Sequence, residues 1–163
     1  MKLVLLAAVA LAAGIAAAQS VNKKTGLPDP PQPDLPYIIH ASSLVATERN
    51  EAKEETRKDE TIYAVAGVTS GARTPLASPE FLLQAESVPP DRLQLFKLEA
   101  RGGRREVVVT RKKKPVARPL RLSVFQADQK LKLFRIRVDE SLTAGEYCLT
   151  PEGSNTIFGF TVE

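Results

Sequence analysis

Beyond residue 36, apolar and polar side chains alternate with a period of two along much of the chain, the pattern of strands with one dry face and one wet face. Residues 37–47 read as extended, with Ile38 and His40 on one face and Tyr37 and Ile39 on the other. Strand chemistry resumes at 61–66 and at 81–86, where Pro89 and Pro90 end it. Residues 92–100 place Gln94, Phe96, Leu98 and Ala100 on one face. Gly102-Gly103 then stands between that run and 105–111, a hairpin signal. Two further hairpins are predicted, 120–127 with 130–138 about the polar tip Asp128-Gln129, and 146–150 with 156–162 about 151–155. No amphipathic helix is expected in this part of the chain. About eight to nine short strands with regular turn signals predict an all-β, antiparallel, immunoglobulin-like sandwich, with a small closed barrel as the second choice.

Residues 48–60 interrupt the pattern. They are almost wholly polar, with acids and bases interleaved and no apolar stripe by which to dock. A solvated loop between strands is the expectation, with a helix carrying Glu54 and Lys58 at i, i+4 as the alternative.

The N-terminal stretch follows other rules. Lys2 is followed by an uncharged, Ala-rich run from Leu3 to Ala18 and a small-residue site before Gln19, which is the layout of a secretory signal peptide. The run is shorter and less apolar than the roughly 20 residues a membrane span needs. Residues 1–18 are therefore read as a cleaved signal, and the remaining chain is expected in the periplasm or outside the cell. Residues 19–36 carry Pro28, Pro30, Pro31, Pro33 and Pro36, which restrict φ and remove amide donors. They read as a semi-rigid spacer before a single domain at 37–163.

Composition narrows the chemistry. Of 163 residues, 43% are hydrophobic and 26% charged, enough for a core and against wholesale disorder. One His (His40) and one Cys (Cys148) exclude a zinc finger and an intramolecular disulfide framework. No cofactor or metal is expected. Glu54-Glu55 and Asp59-Glu60 are interleaved with Lys and Arg, and read as a solvated charge run rather than a calcium loop. His40 with Ser42 and Ser43 lacks the nucleophile-elbow sequence of a hydrolase and reads as a strand histidine. Cys148 reads as a small apolar residue in the packing, with an intermolecular disulfide as its alternative.

The formal net charge is +4, and its distribution says more than its sum. Between 101 and 121 stand Arg101, Arg104, Arg105, Arg111, Lys112, Lys113, Lys114, Arg118 and Arg121 against the single acid Glu106. Arg135 and Arg137 stand on the neighbouring predicted strand. Such a hairpin and loop either protect a sheet edge from aggregation or attract an anionic envelope polymer such as a polysaccharide. Nucleic acid is not expected, because Phe96 and Phe125 read as core rather than as stacking platforms.

The tail from Leu142 to Val162, with its Leu-Thr-Ala-Gly-Glu-Tyr-Cys-Leu-Thr-Pro run, resembles the closing strands of exported bacterial β-sandwich proteins. The resemblance covers about 20 residues, implies architecture and compartment, and carries no catalytic residue or substrate. The first functional expectation is a non-enzymatic exported module that contacts a protein or an anionic polysaccharide through Arg101, Arg104, Arg105, Arg111, Lys112–Lys114 and Arg118. The alternatives are a secreted hydrolase or glycan-active protein with carboxylates from distant strands, and a small-ligand binder recognised by an apolar cavity in a closed barrel.

Overall fold

The structure, a computed structural model, describes residues 20–163. The signal-peptide reading of residues 1–18 lies outside the described residues. The fold is all-β and overwhelmingly antiparallel. Its strands are β1 (Tyr37–His40), β2 (Ser43–Ala46), β3 (Glu48–Glu51), β4 (Lys53–Arg57), β5 (Glu60–Ala66), β6 (Arg73–Thr74), β7 (Glu80–Gln84), β8 (Leu93–Arg101), β9 (Arg104–Arg111), β10 (Lys114–Pro115), β11 (Leu122–Asp128), β12 (Leu133–Val138), β13 (Gly145–Pro151) and β14 (Thr156–Val162). Among the described residues no helix is long and apolar enough to cross a membrane.

Two sheets form. One has the order β11-β12-β7-β1-β2. The other runs β3-β14-β13-β8-β9-β5-β4. Its two end strands are consecutive in sequence, joined only by Ala52, so the sheet returns on itself. Taking β3 and β4 as one bent strand, the ring has six members, and every neighbouring pair is antiparallel. The interior cluster confirms the closure. Ala52 between β3 and β4, Val65 of β5, Leu98 of β8, Cys148 of β13 and Ile157 of β14 meet there, with Val107 of β9 packed against them.

The barrel and the five-stranded sheet share a wall. Strands β8, β13 and β14 turn one face into the barrel and the other toward β1, β7 and β12. Between these two layers lies the larger core, which includes Ile38, Phe81, Leu95, Ile136, Leu149 and Phe158. Phe160 meets Phe81 edge-on, with ring centroids 5.1 Å apart, and stacks on Tyr147 at 5.7 Å. Each such fully buried side chain contributes about 1.5–3 kcal/mol relative to exposure. Because β13 and β14 are dry on both sides, they read as nearly continuous apolar runs, Tyr-Cys-Leu and Ile-Phe-Gly-Phe, rather than as an alternation.

Several expectations are corrected here. Residues 48–60 are not a solvated loop. They form β3, β4 and the start of β5, which close the barrel, and Glu48, Glu55, Arg57 and Glu60 pair with charged partners on β9 rather than docking an apolar stripe. Residues 37–47 are not one strand but a hairpin, which turns through Ala41 at φ +54°. With the short β6 and β10, the described residues hold more strand segments than the periodicity suggests. Phe125 is not core: it is 50% exposed on the edge strand β11, where its ring lies 5.2 Å from the Arg137 guanidinium.

The Pro-rich segment contains neither helix nor central strand, as its prolines require. It lies along the outer face of the five-stranded sheet, where Leu27 is buried with Ile39 and Leu82. Asp34 Oδ1 accepts hydrogen bonds from the backbone N–H groups of Glu86, Ser87 and Val88 at 2.8–2.9 Å.

Candidate functional site

A cavity of about 360 Å³ lies inside the barrel. Its walls follow from strand alternation. Gln94, Phe96 and Leu98 on β8 face inward, as do Val107 on β9, Tyr63 and Val65 on β5, and Cys148 and Thr150 on β13. A six-stranded barrel closed by regular ladders has an interior small enough for side chains to fill. Space survives here because β8 and β9 pair only over Glu99–Arg101 against Arg104–Glu106, then diverge. The connection after β9 fills the gap. Val116 and Ala117 donate backbone hydrogen bonds to Val109 O, and Leu120 donates to Leu95 O at 2.8 Å. Ala117 and Pro119 of this connection line the cavity, and with Gly153, Ser154 and Asn155 of the β13–β14 turn they frame its mouth.

The opposite end is polar and sealed. Arg105 is inward-facing on β9 and 1% exposed. Its Nε donates to Gly67 O at 3.1 Å, and its Nη2 donates to Ala66 O at 3.1 Å and to Glu48 Oε1 at 2.9 Å. Nη1 stands 3.6 Å from Glu146 Oε2 and has no hydrogen-bond acceptor among the described residues. Gly159 of β14 makes room for it, since a Cβ there would approach Nη1 to 3.3 Å. The loop after β5 plugs the barrel beneath. Ser70 N donates to Glu146 Oε2 at 2.9 Å, Gly71 N donates to Glu48 Oε2 at 2.7 Å, and Thr161 Oγ1 donates to Glu146 Oε1 at 2.8 Å. Burial raises the Glu48 pKa, but hydrogen bonds from Arg105 and Gly71 outweigh it and hold the carboxyl below its ordinary value. Cys148, buried at mid-height in the wall, has its thiol pushed up to about 12 by desolvation, so it stays protonated and unreactive.

The basic stretch does not form one patch. Arg105 leaves the surface for the barrel floor and is no part of an exposed patch. Arg104 Nη1 donates to both Glu55 oxygens at 2.8 Å, Arg111 Nε donates to Glu60 Oε1 at 2.8 Å, and Arg101 stands 3.8 Å from Glu106. Glu106 is buried and also bonded by Arg57, which with Arg104 holds its carboxyl below the ordinary value. The acids of β4 and β5 thus neutralise the bases of the hairpin. Lys112, Lys113, Lys114 and Arg118 remain exposed and enter no ion pair with the described residues. They sit on the connection whose Ala117 and Pro119 frame the cavity mouth. Arg121 belongs elsewhere, 3.5 Å from Glu140, while Arg135 pairs with Glu80 and Arg137 with Asp139.

The other sequence candidates do not converge on the cavity. His40 is exposed at the end of β1, and the Ser43 hydroxyl donates to its backbone carbonyl at 2.9 Å rather than to its ring. Glu54 accepts a hydrogen bond from Tyr63 at 2.5 Å, Glu55 is taken by Arg104, and Glu60 by Arg111. No group of three or more His, Cys, Asp or Glu placed to hold a metal ion occurs among the described residues. Sequence reasoning allowed an apolar cavity in a closed barrel as an alternative but located none of its lining, because that lining comes from strands distant in the chain. One signal was present: two faces of β13 and β14 are apolar, which requires a dry layer on each side.

No family model, curated protein or solved structure matches the chain.

Proposed function

We propose that this chain is an exported, non-enzymatic binding protein whose site is the interior of the barrel. The observation that carries the reading is the cavity itself: about 360 Å³, walled by Tyr63, Phe96, Leu98, Val107 and Ile157, with a few polar groups at fixed heights. Sites for small molecules are of this size, mostly apolar, with a small number of polar groups that set orientation. At roughly 30 Å³ per water-sized group, the space takes about a dozen such groups. The Cys148 thiol in the wall is pushed up by burial, and the carboxylates of the floor are engaged by Arg105 and by backbone N–H groups. An immunoglobulin-like classification of the sandwich layer is secondary to this reading, since the site lies in a barrel interior and not on the loops at a sandwich's ends.

The test is titration of the purified protein with 1-aminoanthracene, an uncharged apolar fluorophore. Blue-shifted, saturable emission is expected from the wild type. It is lost in Val107→Trp, which fills the wall, and in Ala117→Trp, which blocks the mouth, provided both retain the wild-type circular dichroism spectrum. A folded protein that leaves the fluorophore unbound, or binds it equally in both variants, overturns the reading.

A further inference from the structure

The charged groups nearest the cavity differ at its two ends. At the floor, one guanidinium, Arg105, stands between two carboxylates, Glu48 and Glu146, so these three groups together carry a formal excess of negative charge. On the connection that leads to the mouth, the four bases Lys112, Lys113, Lys114 and Arg118 are exposed and without an ion-pair partner among the described residues, while the neighbouring Arg111 pairs with Glu60 and the backbone N–H of Lys112 donates to Asp59 O. An anion entering the barrel would leave water for an apolar wall and approach two carboxylates, a cost that grows as the local dielectric falls. The same anion held at the mouth keeps part of its hydration and meets the field of these exposed bases. Between the ends Phe96, Leu98, Val107 and Ile157 make an apolar wall, with Gln94 and Thr150 as polar exceptions.

We propose, resting on the binding reading above, that the ligand is an anionic amphiphile: an apolar body of about a dozen heavy atoms lies in the cavity, and a single acid group sits at the lip formed by Lys112–Lys114 and Arg118. A medium-chain carboxylate is the simplest member of this class. The floor disfavours a second anion, because Glu48 and Glu146 already stand there against the single Arg105. The lip therefore selects an acid head, and the floor tolerates only an uncharged tail.

The experiment compares dodecanoate, its methyl ester and 1-dodecanol as competitors of bound 1-aminoanthracene, at low and at high ionic strength. The wild type is expected to prefer the acid over the ester and the alcohol by about tenfold at low salt, from several exposed charge interactions of ordinary size, with the preference shrinking as salt rises. The quadruple variant Lys112→Ala, Lys113→Ala, Lys114→Ala and Arg118→Ala keeps the affinity for the fluorophore and the ester and loses the preference for the acid. Equal affinities for all three compounds in the wild type overturn the amphiphile while leaving the cavity reading intact. A wild type that binds none of them and no fluorophore overturns the cavity reading instead. Retention of an anionic polysaccharide through the four bases, with no acid preference in the cavity, assigns the lip to a polymer and also overturns the amphiphile.

Discussion

Arg105 carries a burden that few charged side chains do. It is buried, it joins the turn after β5 through Gly67 O and Ala66 O, and it balances Glu48 and Glu146 from two other strands. Removing one partner of such a network leaves the others charged and desolvated. Arg105→Met is therefore expected to destabilise the fold by about 3–5 kcal/mol in urea titrations. Arg105→Lys should fall between the two, since it keeps the charge but not the forked donors. A loss under about 1 kcal/mol in Arg105→Met would show that the floor carbonyls and carboxylates find water instead. Cys148 makes a second residue-scale prediction. Its thiol is walled in and held protonated, so a thiol reagent at pH 8 should label it no faster than the protein opens. Fast stoichiometric labelling of the folded protein would contradict its place in the barrel wall.

At the scale of elements, the turns show which hairpins the chain specifies locally. Gly102 and Gly103 take φ of +58° and +76°, the left-handed pair that a tight two-residue hairpin turn demands and that glycine adopts without strain. The turn between β9 and β10 has the same geometry with Lys112 and Lys113 at +49° and +61°. An L-residue pays about 1–2 kcal/mol there. Lys113→Gly is accordingly expected to raise stability by about 1 kcal/mol, read as a higher urea midpoint at unchanged slope. A lower midpoint would mean that the lysine contributes packing or field that the turn geometry does not reveal. The lysines stand in a conformation that suits them poorly.

The same scale explains what could be read early. The Gly-Gly hairpin and the final hairpin were legible because their turn chemistry and apolar spacing are local. Strands β3 and β4 were not, because nothing in Glu48–Arg57 asks for a strand by itself. Their stability comes from partners such as Arg104 and Arg105, some 50 residues away, and from Thr156 and Tyr63 across the ladders. The Ala41 turn was invisible for the opposite reason: a non-glycine residue at positive φ gives no compositional cue.

For the whole molecule, carboxylates with lowered pKa tie distant parts together. Asp34 is pushed up by burial but more strongly held down by the N–H groups of Glu86, Ser87 and Val88, and fastens the N-terminal segment to the turn after β7. Glu48 and Glu106 are likewise below their ordinary value of 4.5, as Asp128 and Asp139 are below 3.8. A group with a folded pKa below its unfolded one binds fewer protons when folded, so acid favours the unfolded chain. The stabilisation is complete above the ordinary carboxylate range and is lost as pH falls through the folded values. Urea midpoints should therefore be flat from pH 7 to about 5 and drop steadily below about 4.5. A midpoint that rises toward pH 3 would contradict these assignments.

From the sequence by itself came the class of the fold, the positions of most strands and the concentration of bases between 101 and 118. Those properties reside in short-range periodicity, turn residues and composition, which act wherever the chain goes. Tertiary structure alone decided that β3 and β4 close a barrel, that Arg105 lies at its floor and that Lys112–Lys114 and Arg118 are left without ion-pair partners among the described residues. The physical reason is that a cavity and a charge balance are properties of surfaces brought together. A guanidinium becomes a buried anchor or a free contact according to which distant carboxylate its strand is made to face.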